Sequence, residues 1–232
     1  MNNFNSLLWF SITIACYLFG SLLQKITKNN ILVSPPIIAI ILLIFILNLK
    51  FFNIEYSEYM KGAGIISFFL GLTTIALAVP LYKHKDIIYK NIISILFSIF
   101  ISIILSVTMS YCIAKFLHAD KIIQLSIITK SVTTPIALLI AEKIGAVQSL
   151  CIMFIFSTGM FGAVFGLPLL SLAKIKNDKA IGLALGVVCH GLGVARAFQK
   201  NELCGLFAML GMSIMGLLSG VIIPFIALVF FL

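Results

Sequence analysis

Long apolar runs broken by short polar clusters set the character of this chain. Eight runs can be marked, roughly over residues 6–26, 31–49, 62–82, 88–117, 122–141, 147–173, 180–198 and 203–232. Most approach the ~20 residues a helix needs to cross the hydrocarbon of a bilayer. The pattern therefore predicts an all-α integral membrane protein. The links are too short to hold a soluble domain; the longest polar insert, 50–61, carries Lys50, Glu55, Glu58 and Lys61. One membrane domain over 1–232 is expected, with N-terminal helices over 1–121, motif-bearing broken segments over 122–200 and a C-terminal helix over 201–232. The first run has no basic residue before it and no small-residue cleavage site after it, so it reads as a span rather than a signal peptide.

Two runs are poor helices. The fifth holds Lys130 and Thr133-Thr134-Pro135; the seventh holds His190-Gly191-Leu192-Gly193 and ends at Arg196. Irregular backbone at membrane depth is tolerated only where protein or a water-filled cavity surrounds it. Basic residues at segment ends test the idea. If all eight runs cross, the ends divide eight against seven. If the fifth and seventh enter and leave on one side, ten gather there (Lys25, Lys28, Lys83, Lys85, Lys90, Lys174, Lys176, Lys179, Arg196, Lys200) against five (Lys50, Lys61, Lys115, Lys121, Lys143). The second division follows the positive-inside tendency. About six full spans plus two broken or re-entrant segments, entering from opposite sides, are expected, with room for an internal repeat.

Glycine is concentrated late: twelve of sixteen lie after residue 144. Gly159, Gly162 and Gly166, then Gly182 and Gly186, then Gly216 and Gly220 fall at spacings of three or four, which puts small residues on one helix face for close packing. Gly191 and Gly193 flank a polar cluster and point instead to unwinding.

Composition sharpens this picture. Apolar residues make up 62% and charged residues 10%, against roughly 25% charged in a soluble domain, so a water-facing surface is excluded. The net charge of +9 comes from Lys in the links, which suits headgroups and orientation rather than nucleic acid. The five cysteines are scattered inside apolar runs and form no metal-spaced pair. All seven acids lie in links or near segment ends, which disfavours a pump built on buried carboxylates or a carrier of multivalent cations. No nucleophile–base pair, zinc spacing or phosphate-cradling loop appears, so neither an enzyme nor a cofactor is expected.

The polar groups left at depth are cationic or neutral. Lys130, Thr133 and Thr134 stand at i, i+3 and i+4, one face of a helix, and Pro135 would free a carbonyl one turn back. Half-helix ends of this kind hold anionic solutes in carriers; the bland alternative is a proline kink with self-bonded threonines and a snorkelling lysine. Arg196 is the only arginine among sixteen basic residues, and its planar fork pairs with carboxylate or phosphate as Lys cannot; an interfacial anchor is the alternative. His190 offers a proton-coupling group or a simple interhelical hydrogen bond. Unwinding at Gly191–Gly193 could bring His190 and Arg196 to one cavity. The expected ligand is a small anion.

Several strings resemble the LrgB/CidB family of bacterial membrane proteins: Lys130-Ser-Val-Thr-Thr-Pro-Ile-Ala137, Gly182-Leu-Ala-Leu-Gly186 with His190-Gly-Leu-Gly193 and Ala195-Arg196, Leu77-Ala-Val-Pro-Leu-Tyr-Lys83, and Ser157-Thr-Gly-Met-Phe-Gly-Ala163. The likeness runs over nearly the whole chain. Lys130, Thr133, Thr134, His190 and Arg196 match the family pattern directly, whereas Val187, Val188, Cys189 and Val194 stand where the family has small or hydroxyl residues. The resemblance implies two roles at the plasma membrane. One is carriage of small monocarboxylates such as glycolate, glycerate or pyruvate, through a site of Lys130, Thr133, Thr134, Pro135, His190, Gly191, Gly193 and Arg196. The other is antiholin-like restraint of murein hydrolase release and lysis, beside a holin-like LrgA/CidA partner. The cation-lined, acid-free pattern favours the first; a homo-oligomer is compatible with either.

Overall fold

The computed structural model describes residues 2–27, 33–48, 56–76, 78–83 and 85–231. Among them are ten α-helices and no strand: α1 Asn2–Ile26, α2 Pro35–Asn48, α3 Tyr56–Ala76, α4 Ala78–Lys83, α5 Lys85–Phe116, α6 Lys121–Ile127, α7 Thr134–Ile144, α8 Gln148–Leu172, α9 Asp178–Lys200 and α10 Glu202–Ile226, which passes into wider π-helical turns over Ala227–Phe231. Lys50, Glu55 and Leu77 lie outside the described residues, as do the side chains of Thr73, Thr74 and Pro80. The chain divides into two compact units, residues 1–76 and 77–232.

In the first unit α1 packs against both α2 and α3. Small residues set the spacing: Gly20 sits against the Pro35 carbonyl, and Gly62 against the Ser6 carbonyl and Trp9. Trp9 is buried and meets Tyr59 edge-on, ring centroids 5.9 Å apart.

The second unit is built on α5, α8 and α10. Along α5, Ile95, Ile99, Ile103, Val107, Ser110 and Ala114 are buried, a stripe spaced by four and three that follows one helix face. It packs with Leu125, Ile140, Phe207, Met215 and Ile223 into one core. Opposite faces carry exposed Ile93, Phe97 and Met109 on α5 and Leu217, Val221 and Phe225 on α10, apolar surface suited to acyl chains. Five described helices, α1, α5, α8, α9 and α10, are long and apolar enough to cross a membrane.

Length misleads for one of them. The path of α9 breaks at His190, at φ 47° and ψ −132°. Were α9 straight, Asp178 and Lys200 would stand about 33 Å apart at ~1.5 Å per residue. Instead the Lys200 ammonium bonds the Asp178 carboxylate, and Asn201 Nδ2 donates to its other oxygen at 2.9 Å. Gly193 also lies against the Leu185 carbonyl. Thus α9 is a helical hairpin with His190 at its tip and Asp178 and Lys200 at its mouth.

The fifth run forms a second hairpin. After α6 the chain makes tight turns over 128–133, and α7 begins at Thr134. Beyond α7, the Val147 N–H donates to Ser126 Oγ at 3.2 Å, so the strand of chain comes back to the level of α6.

Helix α10 serves as a ruler for both. Gly182 meets Cys204, Gly186 meets Ala208 and Val187 meets Gly211. Further along, Gly216 and Gly220 face Ile136 of α7. The α9 hairpin therefore occupies the first half of α10 and α7 runs away along the second half. The two hairpins open toward opposite ends and their tips meet near mid-length. α8 joins the mouth of one to the mouth of the other, with Gly162 against Cys189 and Gly166 against Leu185. The order span, hairpin, span, hairpin, span repeats α5–α6–α7 as α8–α9 with inverted direction, the arrangement expected of an inverted repeat.

Of the expected six full spans, α1, α5, α8 and α10 are long and apolar enough to cross a membrane, while α2 has 14 residues; the two broken segments are the fifth and seventh runs. The glycine stripes act as close-contact faces, as their spacing suggests. Two local expectations are corrected. Lys130 does not share a helix face with Thr133 and Thr134, because the helix ends at Ile127 and the turn intervenes. Pro135 stands in the first turn of α7, where its missing N–H costs no helical bond, rather than breaking a helix it lies within.

Candidate functional site

The tips bring a lysine and a histidine among side chains that are mostly apolar, with serines of α5 and α10 among them. Lys130, in the first tip, reaches Ser106 Oγ of α5 at 3.3 Å and Ser131 Oγ at 3.4 Å, and the two hydroxyls bond each other at 2.8 Å. No carboxylate pairs with Lys130 among the described residues. A cleft of about 360 Å³ opens here, lined by Ser102, Ser106, Ser110, Lys130, Ser131, Val187 and Met215 among others.

His190 comes from the other tip. It is buried, and its surroundings include the main chain of Lys130 and Ser131 and the Lys130 ammonium. Its Nε2 has no hydrogen-bond partner. Thr133, at the N-cap of α7, makes no capping bond; its Oγ1 is buried and unpartnered and faces Gly216 of α10. Thr134 and Pro135 open α7, whose first-turn N–H groups, Pro135 having none, lack partners within the helix. Gly191 has open space around it, while Gly193 is packed against Leu185 and Cys189. The break falls on His190 itself and not on the flanking glycines.

A lone buried donor or acceptor costs roughly 1–3 kcal/mol. Thr133 Oγ1 and His190 Nε2, both without a hydrogen-bond partner, and a lysine whose hydrogen bonds go to two serine hydroxyls make up an arrangement that a small oxyanion would complete. The lysine supplies the charge, the hydroxyls and the α7 terminus supply donors.

Arg196 is elsewhere. The hairpin carries it back toward the mouth, where it lines a separate cleft of about 520 Å³ with Ser171, Lys176 and Gln199. The expectation of one cavity for His190 and Arg196 fails because the chain reverses at His190: each residue after the tip descends, and six residues remove Arg196 by more than a helical turn. Two residues of the tip cleft, Ser106 and Ser131, escaped the sequence reading. For Ser106 the signal is the spacing Ser98, Ser102, Ser106, Ser110 along an otherwise apolar run; Ser131 directly follows Lys130.

Comparison with known proteins agrees with the strings noted in the sequence. A family model described as the LrgB-like family matches residues 13–229. The chain is 30% identical to the holin-like protein CidB of Staphylococcus aureus over the full length of both. It is 33% identical to the antiholin-like protein LrgB of Bacillus subtilis, covering 92% of this chain and 91% of that one, and 34% identical to the antiholin-like protein LrgB of Bacillus mycoides, covering 92% of each. No solved structure matches.

Proposed function

This chain belongs to the LrgB-like family, a multi-pass protein of the bacterial cell membrane, and from that premise we propose that it takes the holin- and antiholin-like role named for its relatives. In that role it modulates murein hydrolase activity and lysis, working with a small LrgA/CidA-type membrane partner. The names of the relatives support this reading directly, and they bear on it more than on metabolite carriage.

The geometry supports a statement of how the membrane domain would act. Two opposed hairpin tips meeting at mid-depth around an uncompensated lysine suit reversible binding of a small monocarboxylate, a 2-hydroxy or 2-oxo acid, and its passage across the bilayer. The observation that carries this is Lys130, held only by Ser106 and Ser131. On this reading control of lysis follows from altered anion flux.

One set of strains and vesicles tests both. In cells lacking the chain, wild-type protein should restore the lysis and murein-hydrolase profile only when the partner is present, and Lys130→Gln should fail to restore it. In proteoliposomes, saturable uptake of labelled pyruvate, glycolate or glycerate should fall at least about tenfold in Lys130→Gln, the scale of a lost charge-assisted contact. Restoration of lysis control by Lys130→Gln, with no uptake by wild type, would remove the anion step and leave the partner-dependent role.

A further inference from the structure

We propose that the cleft at the mouth of the α9 hairpin is a second oxyanion site, distinct from the tips, which takes the carboxylate or phosphate of a small anion or of a lipid headgroup. It does not rest on any transport reading of the tip cleft.

Three observations meet there. The first is the space itself, about 520 Å³ between the end of α8, the link that follows it and the returning half of α9. The second is the state of Arg196. Its Nη1 donates to Gln199 Oε1 at 2.8 Å, while Nε is buried and unpartnered. No carboxylate forms an ion pair with it among the described residues. A planar fork lacking an anion is complementary to a carboxylate or phosphate. The third is the local balance of charge. Lys200 is committed to Asp178 at the mouth, so that pair is neutral. Lys176 on the rim and Arg196 in the wall remain as uncompensated cations.

The walls explain the choice of ligand class. Leu167, Ile175 and Ile181 line the same cleft, so an oxyanion with an apolar body fits better than a fully hydrated inorganic ion. Basic clefts between helices near a membrane face bind anionic headgroups on these grounds. The chain also uses arginine nowhere else; every other cationic position has the lysine that suffices for general attraction to a membrane surface.

The test uses the full chain in neutral detergent, with thermal unfolding followed against added ligand. A ligand that binds only the folded state raises the unfolding midpoint with concentration. Pyruvate and inorganic phosphate, at constant ionic strength, form one arm. Dioleoylphosphatidylglycerol against dioleoylphosphatidylcholine in mixed micelles forms the other. Arg196→Gln should raise the concentration needed for half-maximal stabilisation about tenfold. Lys176→Gln should raise it about fivefold, the scale of one cation near an anionic group. An Arg196-dependent response to pyruvate or phosphate supports the site with a soluble ligand. A response confined to phosphatidylglycerol supports it with a headgroup. Should Arg196→Gln not purify as a monodisperse protein, Arg196→Lys and the exposed Lys176→Gln decide instead. Wild-type responses to every ligand in those two variants would overturn the proposal. Uptake is not read in this assay, so its outcome is separable from that of the tip cleft.

Discussion

His190 concentrates the conflict between local chemistry and fold at a single residue. At φ 47° and ψ −132° its backbone lies where glycine is at ease and a residue with a Cβ is not, while Gly191, the next residue, does not take a positive φ. Strain of this kind costs about 1–3 kcal/mol and persists only where the surrounding structure imposes it. Here α8 and α10 impose it by clamping both halves of the hairpin. His190→Gly and His190→Ala both delete the ring, but only the first relieves the backbone. The glycine variant should therefore unfold at a higher temperature than the alanine variant, by a margin worth about 1 kcal/mol. Equal midpoints would mean that the backbone is not strained there.

The residue scale also shows what could and could not be read from the chain. Lys130, Thr133 and Pro135 stood out because a cation and a proline interrupt an apolar run. Ser106 did not, because a serine in a membrane helix ordinarily bonds its own preceding turn. Ser102 and Ser110 do that, with Ser98 and Ser106 carbonyls as acceptors; Ser106 instead bonds across to Ser131. Arg196 was rightly singled out as unusual and wrongly placed beside His190, since spacing in sequence carries no information on the angle at which a helix turns back.

Among elements, the two hairpins are the features that the charge distribution foresaw and helix length concealed. A run of 23 helical residues such as α9 is long enough to span, and only the pairing of its two ends shows that it returns. That pairing gives a sharp test. In a background where Cys112, the one exposed native cysteine, is replaced by alanine, Asp178→Cys combined with Lys200→Cys should be joined by a short bismaleimide in nearly every molecule. A straight α9 would hold the two thiols about 33 Å apart and give no cross-link. The exposed ion pair itself adds little stability; tight glycine contacts with α10 do more, since at Gly182 and Gly186 the α10 carbonyls leave no room for a Cβ.

At the scale of the whole second unit, opposed hairpins fix which links share a side. α5 runs from Lys85 to the mouth of the first hairpin, α8 returns from that mouth, and Lys174, Lys176 and Lys179 follow at the mouth of the second. Lys85, Lys90 and Lys176 thus lie toward one end, and Lys115, Lys121 and Lys143 toward the other. The first end carries the excess of lysine and should face the cytoplasm. Single cysteines at Lys90 and Lys176 should react with a membrane-impermeant maleimide only in inverted vesicles, and cysteines at Lys115 and Lys143 only in intact spheroplasts. The pairing is the decisive part. Were positions 90 and 176 labelled from opposite sides, α5, the first hairpin and α8 would together cross an odd number of times, the inverted repeat would be lost, and the tips could not meet at mid-depth. Were all four sidedness results reversed together, the fold would stand and only its orientation in the bilayer would change, with Arg196 then opening to the outer face.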